Sequence, residues 1–333
     1  MINVTLLAFD YAMASALAGI SDLFTIAASS WKSQHPQEKQ AKFKVQIASW
    51  DKKPLKTLNN LVIMPHCSIQ AVTESDVYLI PAIAGDIDKT LSQNPGIIEK
   101  LKAINSEKHI IGSNSTGSFF LAEAGLLDNK IATTHWSAEK LFMAKYPQVT
   151  LTIEQLITHD ENILCDGGGL SWFDLGLYII ELFCDHKTAL ETAKTFVLDT
   201  GRTTQLSYSP LISKKYHNDK TIRAVQDWME INYQANIIID QLSSQFGLSN
   251  RSLIRRFKQS AGVTPSVYLQ DVRIDVASKL LVQTNKTIEE IIDKTGYSDA
   301  SSFTKLFKRK TGLTPSIYRA RYKPVHTQKQ TER

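Results

Sequence analysis

The chain has 333 residues, 43% of them hydrophobic, with a formal net charge of +5, which is apolar material for more than one core and excludes a disordered polyelectrolyte. The charge is uneven: residues 218–333 carry 19 Lys and Arg against 11 Asp and Glu, a net +8, leaving 19 against 22, or −3, for residues 1–217. Three scattered cysteines fit a reducing compartment better than a disulfide framework, and Asp10 and Asp22 break the first apolar stretch well short of the ~20 residues a membrane span needs.

Taken in order, residues 2–9 (INVTLLAF) read as a buried strand of a parallel sheet. A helix is expected over 14–29, where Ala14, Ser15, Ala18 and Gly19 permit close packing, and then a polar loop over 30–40. Strands follow at 43–48 and 76–81, a helix at 95–105 and a strand at 109–112. Strands alternating with helices give an α/β class with a doubly wound, mostly parallel sheet.

At residues 110–136 the strand is expected to stop at Gly112, turn through Ser113, Asn114 and Ser115, and enter a helix near Thr116 with Leu121 and Ala124 facing inward. Such an elbow presents one side chain, here Ser115, beside free helix N–H groups that can hold an anion. Three roles are open to Ser115: hydrolase nucleophile, ligand contact or turn chemistry. Asn114 and Thr116 share its fate, and His135 is either a ligand contact or a packing histidine beside Trp136. The segment SNSTG lacks the first glycine of G-x-S-x-G, and no acid at motif spacing completes a triad with His135, so no catalytic residue is assigned.

Other candidates are weaker. His159, Asp160 and Glu161 are consecutive and do not point at one metal. The GGG at 167–169 lacks the Walker lysine and reads as a turn feeding a helix. Cys67, Cys165 and Cys184 read as buried small hydrophobes. No metal or cofactor is expected. With no basic run ahead of the first apolar residues, a secretory signal is not expected either, and the compartment expected is the cytoplasm.

The last third is written twice. Phe257, Gly262, Thr264, Pro265, Ser266 and Tyr268 recur fifty positions later as Phe307, Gly312, Thr314, Pro315, Ser316 and Tyr318, and upstream of a one-residue insertion Gly247 pairs with Gly296 at an offset of forty-nine. Each copy has the parts of a helix-turn-helix: a short helix (240–246, then 288–295), a glycine able to take the left-handed conformation, a capping serine at Ser249 or Ser298, and a second helix. Leu253 with Phe257, and Phe303 with Phe307, make inward stripes. Outward lie Asn250, Arg251, Ile254, Arg255 and Lys258, and in the second copy Ala300, Ser301, Thr304, Lys305 and Lys308. A helix from Pro265 to about 283, with Leu269, Val272, Val276 and Leu280 inward, bridges the copies. At ~1.5 Å per residue it is on the order of 25 Å long, comparable to the ~34 Å between successive major-groove faces. Base contacts are expected from Asn250, Arg251, Arg255, Ala300, Ser301 and Lys305, and phosphate contacts from Lys258, Lys308 and Arg309.

Residues 218–322 resemble the DNA-binding domain of AraC-type transcription regulators, most specifically through G-Y-S-D-x-S-x-F-x-K-x-F-K and GLTPSIYR in the second copy. The elbow segment resembles the PfpI-like, class I glutamine amidotransferase-like domains, with Ser115 where that family has a nucleophilic cysteine and Ala16 (ALAG) where it has an acid. Cysteine reacts as thiolate, whereas serine needs an adjacent base. The two resemblances in this order are the architecture of the GlxA-type branch of AraC-family regulators, and GRTTQL at 201–206 is similar to its R-x-x-Q connector. The resemblance implies a sensing and dimerising domain over 1–194, a linker over 195–217, an all-α DNA-binding domain over 218–322 and a polar tail over 323–333. It implies a catalytically degenerate domain binding a small metabolite, an amino acid or quaternary amine, beside Asn114, Ser115, Thr116 and His135. Promoter DNA, a second copy of the chain and, for an activator, RNA polymerase are the partners implied, and no membrane. The alternative is an amidase or hydrolase using Ser115, with a DNA-binding tail.

Overall fold

The computed structural model describes residues 1–38, 42–104, 107–211 and 217–323, so the tail expected over 323–333 lies, after Lys323, outside the described residues. The chain divides into two compact units, Met1–Gln205 and Leu206–Arg333.

Unit 1 contains, in order, β1 (Ile2–Leu7), α1 (Ala14–Gln34), β2 (Phe43–Ser49), β3 (Leu55–Lys56), β4 (Val62–Ile63), β5 (Cys67–Ser68), β6 (Val77–Ile80), α2 (Ile87–Gln93), α3 (Pro95–Ala103), β7 (Ile110–Asn114), α4 (Ser118–Glu123), β8 (Ile131–Ala132), α5 (Glu139–Lys145), β9 (Thr150–Leu151), β10 (Ile157–Asp160), β11 (Ile163–Asp166), α6 (Trp172–Phe183) and α7 (His186–Thr195). Seven strands form one sheet in the order β10-β11-β7-β6-β1-β2-β5. Every pairing in it is parallel except β10 with β11, which is the doubly wound α/β class expected. Helices α1, α6 and α7 pack on one another, and α2 and α3 on α4.

Strand β1 shows why the run read as unbroken: Val4, Thr5, Leu6 and Leu7 are all buried although successive side chains face opposite ways. Its polar member is satisfied, because Thr5 Oγ1 donates to Ser75 Oγ (2.9 Å) and accepts from Gln46 Nε2 (2.9 Å). Two expectations need correction here. Helix α1 runs on to Gln34, through the first residues of the expected loop. Strand β7 continues through Ser113 and Asn114, because β11 pairs with both.

Residues 202–205, expected in the linker, lie on unit 1. The Leu156 amide donates to Thr203 O (3.1 Å), Gln155 and Thr204 form an antiparallel bridge, and Thr204 Oγ1 donates to Glu154 O (2.7 Å). Of the cysteines, Cys165 is buried as expected, while Cys67 and Cys184 are half-buried.

Unit 2 is helical: α8 (Lys220–Ile231), α9 (Ile239–Gln245), α10 (Asn250–Ala261), α11 (Pro265–Gln283), α12 (Ile288–Lys294), α13 (Ala300–Thr311) and α14 (Pro315–Tyr322). The duplicated parts are α9–α10 and α12–α13, and the turn glycines are left-handed, Gly247 at φ +65° and Gly296 at φ +75°. Ser249 caps α10 as expected, accepting from the Ser252 amide (3.3 Å). The second cap is Asp299, not Ser298; it accepts from the Ser302 amide (2.7 Å), and the inserted residue therefore precedes it.

Helix α11 departs from the single inward stripe expected. Tyr268 and Val272 enter one core with Ile222, Val225, Met229, Leu242, Leu253 and Phe257. Ile274, Ala277 and Leu281 enter another with Ile291, Ile292, Phe303, Leu306 and Phe307. Leu269, Val276 and Leu280 are only half-buried. One rod thus serves both halves. A clamp reinforces it: Arg273 on α11 donates to Tyr233 O (2.8 Å) and Ala235 O (2.9 Å) and lies 5.2 Å from the Tyr297 ring centre. At Gly296 a Cβ would meet Gln234 O at 2.7 Å, so this turn needs glycine for contact as well as for conformation.

Candidate functional site

Helices α10 and α13 bury one stripe and offer the other. Leu253, Phe257, Phe303 and Phe307 are fully buried, which turns Arg251, Ile254, Arg255, Lys258, Ala300, Ser301, Lys305, Lys308 and Arg309 outward as exposed residues, with Thr304 half-buried. Not every cation is free. Arg256 pairs with Asp219 (2.6 Å), the cap of α8, and Lys310 with Asp271 of α11 (2.6 Å), so these two fasten the helices to their neighbours. Arg251, Arg255, Lys258, Lys305, Lys308 and Arg309 form no ion pair among the described residues. Asn250 is exposed, but its amide is bonded to Asp240 and Ser243 of α9, a tie within the first copy. Lys305 and Arg309 rim a hollow of about 430 Å³ with Gln270, Tyr297 and Ser302.

In unit 1 the elbow follows β7. Ser115 opens a short 3-10 turn (Ser115–Gly117) at φ +54° and is 3% exposed, a conformation that costs a non-glycine residue on the order of 1–3 kcal/mol. Its amide donates to Asp166 Oδ1 (3.2 Å), and its carbonyl accepts from Ser118 Oγ (3.0 Å) and Thr134 Oγ1 (3.2 Å). Asn114 is turned inward, donating to both oxygens of Asp166 (2.8 and 3.1 Å) and to Gly168 O (3.0 Å). Ser171 Oγ also donates to Asp166. Thr116 is half-buried and donates to Ile83 O (2.8 Å). His135 Nδ1 lies 2.7 Å from Ser137 Oγ, and burial pulls the imidazole below its ordinary range. No hydrogen bond joins His135 to Ser115 among the described residues. A cavity of about 250 Å³ in this unit lies between α6 and α7, lined by Asp174, Tyr178, Glu181, His186 and Arg202 among others.

A family model described as a helix-turn-helix domain matches residues 242–321, and one described as the DJ-1/PfpI family matches residues 30–181. The HTH-type transcriptional regulator CdhR of Pseudomonas aeruginosa is 26% identical over 280 residues, 84% of this chain and 82% of that protein. The chain is a DNA-binding transcription regulator that joins a DJ-1/PfpI domain to an AraC-type helix-turn-helix domain. The HTH-type transcriptional activator RhaS of Klebsiella pneumoniae is 32% identical over 110 residues, 33% of this chain and 40% of that protein. For the fold of the DJ-1/PfpI domain, the crystal structure of Drosophila melanogaster DJ-1beta superposes with a TM-score of 0.50 at 17% identity, covering 60% of this chain and 98% of that one.

Within this regulator, Asp166 was not anticipated, because LCDGGG reads as a strand end and turn. It is fully buried, and burial pushes its carboxyl up to about 8 against the hydrogen bonds of Ser171, Asn114 and the Ser115 amide, which pull it down. In an unfolded chain the same group titrates near ~3.9. A pKa raised on folding gives stability that is fully present below the unfolded value and lost as pH rises through about 8. The urea midpoint of the DJ-1/PfpI domain should therefore fall between pH 5 and pH 8, and fall less in Asp166→Asn; equal falls in the two proteins would discard the assignment. Among the described residues no group of acidic, His or Cys side chains is arranged to hold a metal, and no helix is long and apolar enough to cross a membrane.

Proposed function

We propose that the regulator is a cytoplasmic, homodimeric activator that reads promoter DNA through α10 and α13 together and carries no enzymatic activity. The observation behind this reading is the shared rod α11 with its Arg273 clamp, which holds two similar basic helices in one fixed relation, as two neighbouring major-groove contacts require. Arg251, Arg255, Ala300, Ser301 and Lys305 meet base edges, and Lys258, Lys308 and Arg309 meet phosphates, with Thr304 flanking them. Asn250 serves first to tie α10 to α9 and reaches bases only if it leaves Asp240 and Ser243. The name of the relative RhaS, an activator, supports activation. RNA polymerase is then the further partner. The DJ-1/PfpI domain takes a small effector, an amino acid or quaternary amine, beside Ser115, Thr116 and His135, with Asn114 supporting the elbow from behind.

The test is to sequence the genomic fragments that the purified full chain retains. Enrichment of a motif with two half-sites about one helical turn apart is expected, and Arg255→Ala should weaken retention by about 1–3 kcal/mol while relaxing one base position. Equal retention of random DNA at matched salt would overturn sequence-specific reading. Turnover of generic esters or amides, abolished in Ser115→Ala, would restore the hydrolase.

A further inference from the structure

Two separate attachments lead from the elbow to residues 202–205, the stretch from which the chain continues as Leu206. The first runs through Gln205, which is 2% exposed. Its Nε2 donates to Thr134 O (2.8 Å) and Thr133 Oγ1 (3.3 Å), and its Oε1 accepts from the Trp136 amide (3.1 Å). Thr134 in turn donates from Oγ1 to Ser115 O and accepts there from Ser118 Oγ (2.8 Å). The second runs through Arg202, whose Nε (3.3 Å) and Nη2 both reach the carboxylate of Asp174 in the first turn of α6. That helix begins beside Ser171, which bonds Asp166, which holds the Ser115 amide. Residue 167 must be glycine for the glutamine to fit, since a Cβ there would sit 2.2 Å from Gln205 Nε2.

A surface linker has no use for a buried amide meeting three partners. The loop held by Gln205 is also the one that carries His135 past the elbow. We propose that Gln205 is a positioning residue of the elbow, and that 202–205 is the segment through which the state of the elbow is passed to the chain beyond. A change that moves the 133–136 loop must break or re-form the Gln205 bonds, and undocking of 202–205 must loosen the elbow by the same linkage. The proposal rests on the elbow being the effector site, but its test needs no effector.

Residue-resolved amide hydrogen exchange on the full chain separates the outcomes. In Gln205→Ala the Trp136 amide loses its acceptor and exchanges faster whatever the role of the glutamine. The Ser115 amide, bonded to Asp166, is the informative one, and it should exchange roughly tenfold faster while Leu6 in the centre of the sheet keeps its parent rate. In the reverse direction, Thr134→Val should speed exchange of the Leu156 amide, whose acceptor is Thr203 O. Gln205→Met keeps the bulk over Gly167 without the hydrogen bonds, and decides the matter if the alanine variant unfolds and Leu6 accelerates too. Parent-rate exchange at Ser115 in Gln205→Met, or at Leu156 in Thr134→Val, overturns the proposal. The effector reading fails separately, when no amino acid or quaternary amine raises the melting temperature of the DJ-1/PfpI domain.

Discussion

Phe307→Ala should remove DNA binding from the regulator while leaving the DJ-1/PfpI domain folded. The ring is fully buried, edge-on to Tyr318 at 5.4 Å and tilted against Phe303 at 5.8 Å, within the core that also holds Ile274, Ala277, Leu281, Ile291 and Ile292. Truncating a buried Phe costs about 3–5 kcal/mol, against the roughly 5–15 kcal/mol that holds a whole domain. The loss would not stay in the second copy, because α11 supplies Tyr268 and Val272 to the first core from the same rod. Thermal melting followed by circular dichroism should show the helical unit unfolding first and the α/β unit at its parent temperature. Retention of genomic fragments should vanish with the first transition. A helical unit within about 1 kcal/mol of the parent would show that the core has room to collapse around the missing ring.

The second large effect is expected at the elbow, from Gly117→Ala. A Cβ on Gly117 would lie 2.7 Å from Pro81 O and 2.8 Å from Ile80 O. Both neighbours are backbone at the end of β6, so no side-chain rotation relieves the contact. The helix behind cannot retreat either, since Phe119, Phe120 and Leu121 of α4 are fully buried. Gly117 has φ −60°, ψ −23°, an ordinary backbone for alanine, and the cost is steric alone. A loss of about 2–4 kcal/mol in the urea stability of the DJ-1/PfpI domain is expected. Gly85→Ala is the control: its Cβ would meet only Tyr11 Cβ at 3.9 Å, and its stability should stay within about 0.5 kcal/mol of the parent. Similar losses in both variants would mean that the approach of β6 does not set the cost.

What was legible in the sequence was local. The two helix-turn-helix copies announce themselves because left-handed glycines, a capping residue and buried aromatics recur at fixed spacing, and α10 and α13 lie where that spacing puts them. The second cap was misassigned because a single inserted residue can be placed on either side of Ser298 without disturbing the pattern. Helix α1 outran its expected end because Ser21, Thr25, Ser29 and Ser33 return their hydroxyl protons to carbonyls of the preceding turn, so polar residues that look like loop are accommodated in helix. The elbow was recognisable, but its support was not. Asp166 and Gln205 reach it from 51 and 90 residues downstream, and nothing near Ser115 in the sequence marks either as its partner. The rod α11 carries no single stripe because two cores claim different faces of it.

The unequal caps give the two copies unequal manners toward a polyanion. Helix α10 starts at a neutral hydroxyl, so the partial positive charge of its first turn remains available to a backbone phosphate drawn up against it. Helix α13 starts at Asp299, whose carboxyl the Ser302 amide and hydroxyl hold below its ordinary range; that charge offsets the positive pole of the helix and leaves less of it for a phosphate. Of the two helix ends, the first turn of α10 is therefore the more receptive to an anion.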